Sequence, residues 1–300
     1  MQPIEITAQN SKRRKRARHI RAEKRYRYLS IAALCMAVVL LALYLSTVLI
    51  QRRDDSQREG LRGLYYNQTA RRTGSFFFAD AKADEWTADV PERFVQLFAI
   101  NPDLMGWITA GDAVDEPVVY RDNEFYLDHS FYQEYSAGGT VFADVENAAW
   151  DTDGYVILYG HNMRNGSMFG ELEKYRKLEY LKENAAVTLD TVTGEAAKSY
   201  VPFAVFDASM MLDDPNYFHL RRFEEYQTGD EARIQAFLDE LRQRSLFDVP
   251  VDVMVQDRVL ALVTCSYGDP DGRMMLFCRE LREGETVEDM QALMQQCAEK

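Results

Sequence analysis

Histidine and cysteine are scarce in this chain of 300 residues, and their scarcity narrows the chemistry open to it. The four histidines are His19, His129, His161 and His219, and the four cysteines are Cys35, Cys265, Cys278 and Cys297. The cysteines lack the paired spacing of a disulfide framework and of a zinc site. Acidic runs such as Asp213-Asp214 read as solvated loops, so neither a metal nor another cofactor is expected. Positive charge is scarce outside the N-terminal region. Residues 1–53 hold 12 of the 35 basic side chains but only 2 of the 48 acidic ones, which leaves the remainder at a net charge of −23. A body this acidic argues against nucleic acid as a partner.

One long apolar run is present. Residues 12–27, KRRKRARHIRAEKRYR, form a basic tail, and residues 28–50, YLSIAALCMAVVLLALYLSTVLI, carry no charge. A helix needs about 20 apolar residues to cross the hydrocarbon core of a bilayer. The run is too long for a signal peptide and does not end in an A-x-A site. It reads as a retained transmembrane helix whose basic flank stays cytoplasmic, with the rest of the chain outside. Residues 51–90 read as a polar stalk that becomes partly helical, and the short pattern Asn67-Gln68-Thr69 within them matches a glycosylation acceptor.

Beyond the stalk, Phe94, Leu97 and Phe98 give a short helix an apolar face after Pro91. Short apolar runs follow, separated by turn residues: 117–120, 140–144, 155–159, 201–206 and 259–264. This pattern suggests a mostly antiparallel β-barrel. Ile234, Phe237, Leu238 and Leu241 fall at helical spacing and predict a helix over 230–243. Met290, Leu293, Met294 and Cys297 predict another in the tail. The stretch from Arg258 to Leu281, RVLALVTCSYGDPDGRMMLFCREL, reads as two strands joined by a turn over Gly268–Gly272.

Cys265 ends the first of these strands and Arg273 opens the second, so a hairpin sets a thiol beside a guanidinium. A thiolate is a nucleophile, and a guanidinium can donate to a developing oxyanion. A buried structural cysteine is the bland alternative. His161 follows the apolar run 155–159 and is the best placed histidine to serve Cys265. Alternation alone does not separate Arg273 from Arg279, which shares its face of the strand.

YGHNMRNGSMFGEL (159–172) together with LVTCSYGDPDGR (262–273) resembles a class B sortase. NPDLMGWI (101–108), PVVYRDNEFYL (117–127), GTVFAD (139–144) and RSLFDVPVDVMVQDRVLALVTC (244–265) resemble segments of that class in the same order. The resemblance covers about residues 90–282. It implies a closed eight-stranded, antiparallel or mixed β-barrel of sortase type with peripheral helices, one of them in the long loop between the sixth and seventh strands. The helix over 230–243 matches that feature. The implied organisation is a cytoplasmic tail (1–27), a transmembrane helix (28–50), a stalk (51–90), a catalytic domain (91–282) and a C-terminal helical extension (283–300).

The implied activity is transpeptidation. Cys265 would cleave a C-terminal sorting signal of surface proteins after Thr, with His161 as acid and base and Arg273, matching the family arginine, at the oxyanion. The acyl group would pass to an amine of peptidoglycan or a pilin. The implied partners are those surface proteins, the amine acceptor and membrane lipid around the apolar helix. By resemblance Asn123, Leu127, Tyr217 and Phe218 lie near the substrate, and Val263 and Thr264 lie beside the thiol. Val263 departs from the family pattern, in which a small polar residue is common, and the tail after Leu281 is additional. Two rival readings are a thiol endopeptidase that releases peptides to water and a non-catalytic surface scaffold on the same barrel.

Overall fold

The structure is a computed structural model. It describes the backbone of residues 3–66, 90–194, 196–266 and 269–300, and the side chains of 26–66, 90–194, 196–264 and 272–300. Two compact units are present, Met1–Gln57 and Arg58–Lys300.

The first unit is helical. Helix α1 (Pro3–Tyr66) includes a stretch long and apolar enough to cross a membrane.

The second unit is built on a closed barrel. Its strands are β1 (Leu104–Ala110), β2 (Val114–Val119), β3 (Val141–Ala143), β4 (Tyr155–Tyr159), β5 (Val187–Thr191), β6 (Lys198–Ser209), β8 (Val259–Ser266) and β9 (Asp269–Glu280), closing in the order β1-β2-β3-β4-β8-β9-β6-β5. Two short strands, β7 (Phe247–Asp248) and β10 (Ala298–Glu299), pair with each other outside it. The eight-stranded closed barrel is the expected one. It is mixed because β2 pairs with β3, and β4 with β8, in parallel.

Parallel strands need a crossover, and the long connection from β6 to β8 supplies one. It carries helices α4 (Phe223–Thr228) and α5 (Glu231–Arg244). Shorter helices α2 (Val95–Ile100) and α3 (Leu178–Glu183) lie before β1 and before β5. Asp230 caps α5 by accepting from the Arg233 backbone N–H at 3.1 Å. Ile234, Phe237, Leu238 and Leu241 are all buried, as their spacing predicts. The Phe237 ring meets Tyr155, Phe218 and Phe277, so the helix is packed on the barrel through aromatic rings.

Two boundaries differ from the sequence reading, and the tail is helical as its stripe predicts. The stalk is partly helical, as read, with its helix running to Tyr66, but the 58–66 portion belongs to the same compact unit as the barrel, which the sequence reading began at residue 91. Leu61 is buried there, Tyr65 stacks on Trp107 at 4.5 Å, and the Tyr65 hydroxyl donates to Asp190 at 2.9 Å. Residues 67–89, with the Asn67 acceptor pattern, lie outside the described residues. The predicted turn over Gly268–Gly272 is mostly strand. β9 begins at Asp269, because the β8–β9 register shifts after Cys265↔Arg273 and resumes at Ser266↔Asp269. Asp, Pro and Gly are accommodated where a bulge relaxes the ladder. Gly268 itself lies outside the described residues. The tail after Leu281 packs on the body. Helix α6 (Val287–Met294) buries Met290 and Met294, and Gln295 donates to the Lys182 carbonyl at 3.0 Å.

A buried carboxylate joins the 58–66 segment to the barrel. Glu116 of β2 is 2% exposed and sits 3.5 Å from the Arg58 guanidinium and 3.6 Å from that of Arg62. Burial raises its pKa to about 7 against the pull of both arginines. The neutral form is therefore favoured in the fold. The stability this group lends is complete below pH 4.5 and is lost as pH rises through 7. The loss corresponds to about 3 kcal/mol. Glu116→Gln removes that dependence. Denaturant unfolding should find the variant close to the parent at pH 4 and more stable by up to that amount at pH 8.

Candidate functional site

A cavity of about 350 Å³ opens at the end of the barrel where β4 and β8 finish. Its lining combines Asn123, Leu127 and Phe142 from the β2–β4 region, Tyr159 to His161 from the end of β4, Met210 and Leu220 from the long β6–β8 connection, and Val263, Thr264 and Arg273 from the hairpin. Most of this surface is apolar, with a few convergent polar groups, as small-ligand sites generally are.

Strand pairing brings these groups together. β4 and β8 run parallel in register from Tyr155↔Val259 to Tyr159↔Val263, so the end of β4 lies beside the last residues of β8. His161 follows one end and Cys265 lies at the other. Antiparallel pairing of β8 with β9 then sets Cys265 opposite Arg273. The Cys265 side chain lies outside the described ones, so its predicted role rests here on backbone placement. Arg273 Nη1 donates to the Gly272 carbonyl at 2.9 Å. His161 Nε2 lies 2.6 Å from the Leu127 carbonyl oxygen. Thr264 is buried, and its hydroxyl has no hydrogen-bond partner among the described residues.

Of the sequence-predicted residues, His161, Arg273, Asn123, Leu127, Val263 and Thr264 all line the cavity. Tyr217 and Phe218 do not. Phe218 is a core residue, 1% exposed and packed on Phe206 and Phe277, while the Tyr217 backbone holds Arg244. The resemblance that nominated Phe218 does not hold at this position, because its ring is used to pack the barrel. The other candidate arginine is also accounted for. Arg279 is fully buried and forms two hydrogen bonds to Glu285, at 2.5 and 2.8 Å. It is a structural ion pair joining β9 to the chain before α6.

Sequence reasoning missed the charged anchor of the cavity wall. Asp144, just after β3, is buried, and it accepts two hydrogen bonds from the Arg221 guanidinium, both 2.9 Å, and one from the Tyr159 hydroxyl at 2.9 Å. Burial would raise the pKa of this carboxyl, but Arg221, the Glu146 backbone N–H and Tyr159 outweigh it and hold it below the ordinary value. The Asp144–Arg221 pair ties the long connection, next to Leu220, to the barrel wall next to Tyr159. Nothing in the local pattern GTVFAD or HLRRF distinguishes these two charges from solvated ones. Asn123 has a related task, accepting from the Val145 backbone N–H at 2.9 Å.

No family model matches the chain. Among curated proteins it is similar to sortase B of Listeria monocytogenes, 29% identical over 188 residues that cover 62% of this chain and 72% of that protein. It is similarly related to sortase B of Staphylococcus aureus, 29% identical over 197 residues covering 64% and 76%. Among solved structures, that of Clostridium perfringens sortase B aligns with a TM-score of 0.53 at 29% identity, over 62% of this chain and 98% of that one.

The buried anchor gives a measurable expectation. Asp144→Ala leaves the Arg221 guanidinium and the Tyr159 hydroxyl without their shared acceptor, which should cost about 2 kcal/mol of stability at pH 7. Because the folded carboxyl titrates below its ordinary value, that contribution is present above the ordinary range and is lost as pH falls through the folded value. Denaturant midpoints of parent and variant should therefore converge as the pH is lowered through and below the ordinary carboxylate range.

Proposed function

The chain belongs to the class B sortases and is a cysteine transpeptidase of that type, and from this premise we propose which residues act and on what. The reading rests on one observation: strand register sets Cys265 opposite Arg273 on the rim of a cavity that His161 also lines.

Cys265 is the nucleophile. As thiolate it attacks the carbonyl carbon of a Thr in a C-terminal sorting signal of NPQTN, NPxTG or SPxTG type. A C–S bond forms, and Arg273 donates to the oxygen as it becomes negative. Protonated His161 gives its proton to the amide nitrogen, the C–N bond breaks, and the C-terminal fragment leaves. The thioacyl enzyme is then attacked by an amine of a peptidoglycan peptide or a pilin. Neutral His161 takes the proton of that amine and the thiolate departs. No cofactor enters any step. Helix α1, through residues 28–50, anchors the enzyme in the membrane with its basic tail in the cytoplasm, which puts the barrel on the side where surface proteins and cell wall meet.

The test uses the full chain in detergent micelles with fluorogenic sorting-signal peptides, with and without a short glycine peptide or a diaminopimelate peptide. Cleavage after Thr with an amine-dependent ligated product is expected, and Cys265→Ala and His161→Ala should abolish both. Arg273→Ala should lower kcat by about 10²–10³-fold, the usual effect of removing one oxyanion donor. Cleavage that never yields a ligated product would replace this reading with an endopeptidase. A folded chain inert to the whole panel and to thiol reagents would replace it with a scaffold.

A further inference from the structure

The contact between His161 and Leu127 determines which ring nitrogen can move a proton. A carbonyl oxygen only accepts, so at 2.6 Å from the Leu127 oxygen Nε2 must carry hydrogen. A neutral imidazole has one N–H. With that hydrogen on Nε2, the lone pair is on Nδ1.

The acceptor is held from several sides. Leu127 closes a single 3₁₀ turn, Phe125–Leu127. Asp122 Oδ1 accepts from the backbone N–H of Glu124 at 2.8 Å and of Phe125 at 2.6 Å, which fixes the start of the turn. The neighbouring carbonyls are each engaged in order. Glu124 accepts from the Leu127 N–H, Phe125 meets His129 Nδ1, Tyr126 accepts from the Thr140 N–H, and Asp128 accepts from the Ser136 N–H. The Leu127 carbonyl is the one in this series that meets His161. Gly139 presses on the turn from the far side, at φ +59°. A Cβ there would lie 2.3 Å from the Tyr126 oxygen and 2.8 Å from the Leu127 oxygen. Only glycine leaves this carbonyl where it is.

We propose that the Leu127 main-chain carbonyl, held by the 3₁₀ turn and by Gly139, is the positioning group for His161, and that it commits Nδ1 to the proton transfers of the reaction. This deepens the proposed function and rests on its assignment of His161. In the protonated ring, Nε2–H stays on Leu127 while the Nδ1 proton passes to the leaving amide nitrogen. In the neutral ring, the Nδ1 lone pair takes the proton from the incoming amine. A neutral backbone group thus does the orienting work that a carboxylate does in Ser-His-Asp enzymes. Leu127 acquires a role through its main chain, separate from its side chain in the cavity wall.

The experiment is nitrogen NMR of the full chain in detergent micelles with ¹⁵N-labelled histidine. The His161 signals would be assigned by their loss in His161→Gln. At a pH where the ring is neutral, Nε2 should show the protonated type of signal and Nδ1 the unprotonated type. The reverse pattern would overturn the proposal. Gly139→Ala, which displaces the carbonyl, should give a mixture of the two tautomers and lower kcat about tenfold with little change in KM, a fraction of what a general acid–base contributes. A folded Gly139→Ala chain with an unchanged tautomer and unchanged kcat would also overturn it. If that variant does not fold, the spectrum of the parent chain decides alone. Full activity in His161→Gln would instead remove the catalytic assignment, a failure separate from that of the tautomer.

Discussion

The parallel register of β4 against β8 is the constraint on which the site depends. Five consecutive pairs, Tyr155↔Val259 to Tyr159↔Val263, fix where both strands end. The Gly160 N–H extends the ladder to the Val263 carbonyl at 3.1 Å. Side chains alternate faces along a strand, so a slip by one residue would turn Val263 and Thr264 to the opposite faces and undo the cavity wall they build. Residues far apart in sequence, His161 after β4 and Val263 and Thr264 on β8, thus meet at one cavity by main-chain hydrogen bonding, which the buried apolar side chains of both strands stabilise.

Around that rim, charge and neutrality do different jobs. The wall is braced by an ion pair, Asp144 with Arg221, and by the Tyr159 hydroxyl on the same carboxylate. The histidine is met by a neutral carbonyl. A full negative charge beside the ring would favour imidazolium, whereas a carbonyl aligns the ring with a smaller bias between its two protonation states. The role proposed for His161, which gives and then accepts a proton within one cycle, is suited by the weaker partner.

Most of the barrel was legible because strands announce themselves by apolar runs and turn residues, and α5 announced itself by its 3.6-residue stripe. The positions of His161, Cys265 and Arg273 at the ends of such runs were equally readable. Other features depend on tertiary closure, which a local pattern does not encode. Phe218 and Arg279 have the composition of site residues, yet one fills the core and the other is paired inside it. Asp144 and Glu116 are buried, which nothing in the residues beside them signals. The hairpin turn was drawn too long because Asp269, Pro270 and Gly272 favour turns, whereas the register shift lets them lie within β9. The 58–66 end of α1 was left in the stalk, outside the folded body, because Tyr65 and Tyr66 show their apolar value only once Trp107 is beside them.

The crossover from β4 to β8 also has a kinetic consequence. When β4 has been made, its edge has no partner until residues 259–263 exist, and the helices α4 and α5 that sheath the barrel come in between. β1 likewise waits for β5 to close its second edge. Contacts of such sequence separation are slow to form, because loop-closure entropy is lost before any pairing repays it. A chain emerging from its N-terminus therefore carries open strand edges through most of its synthesis and becomes a barrel only when its last quarter arrives. Cys265 lies on that late strand, so positions 161 and 265 are brought to the same end of the barrel at the step that seals the fold.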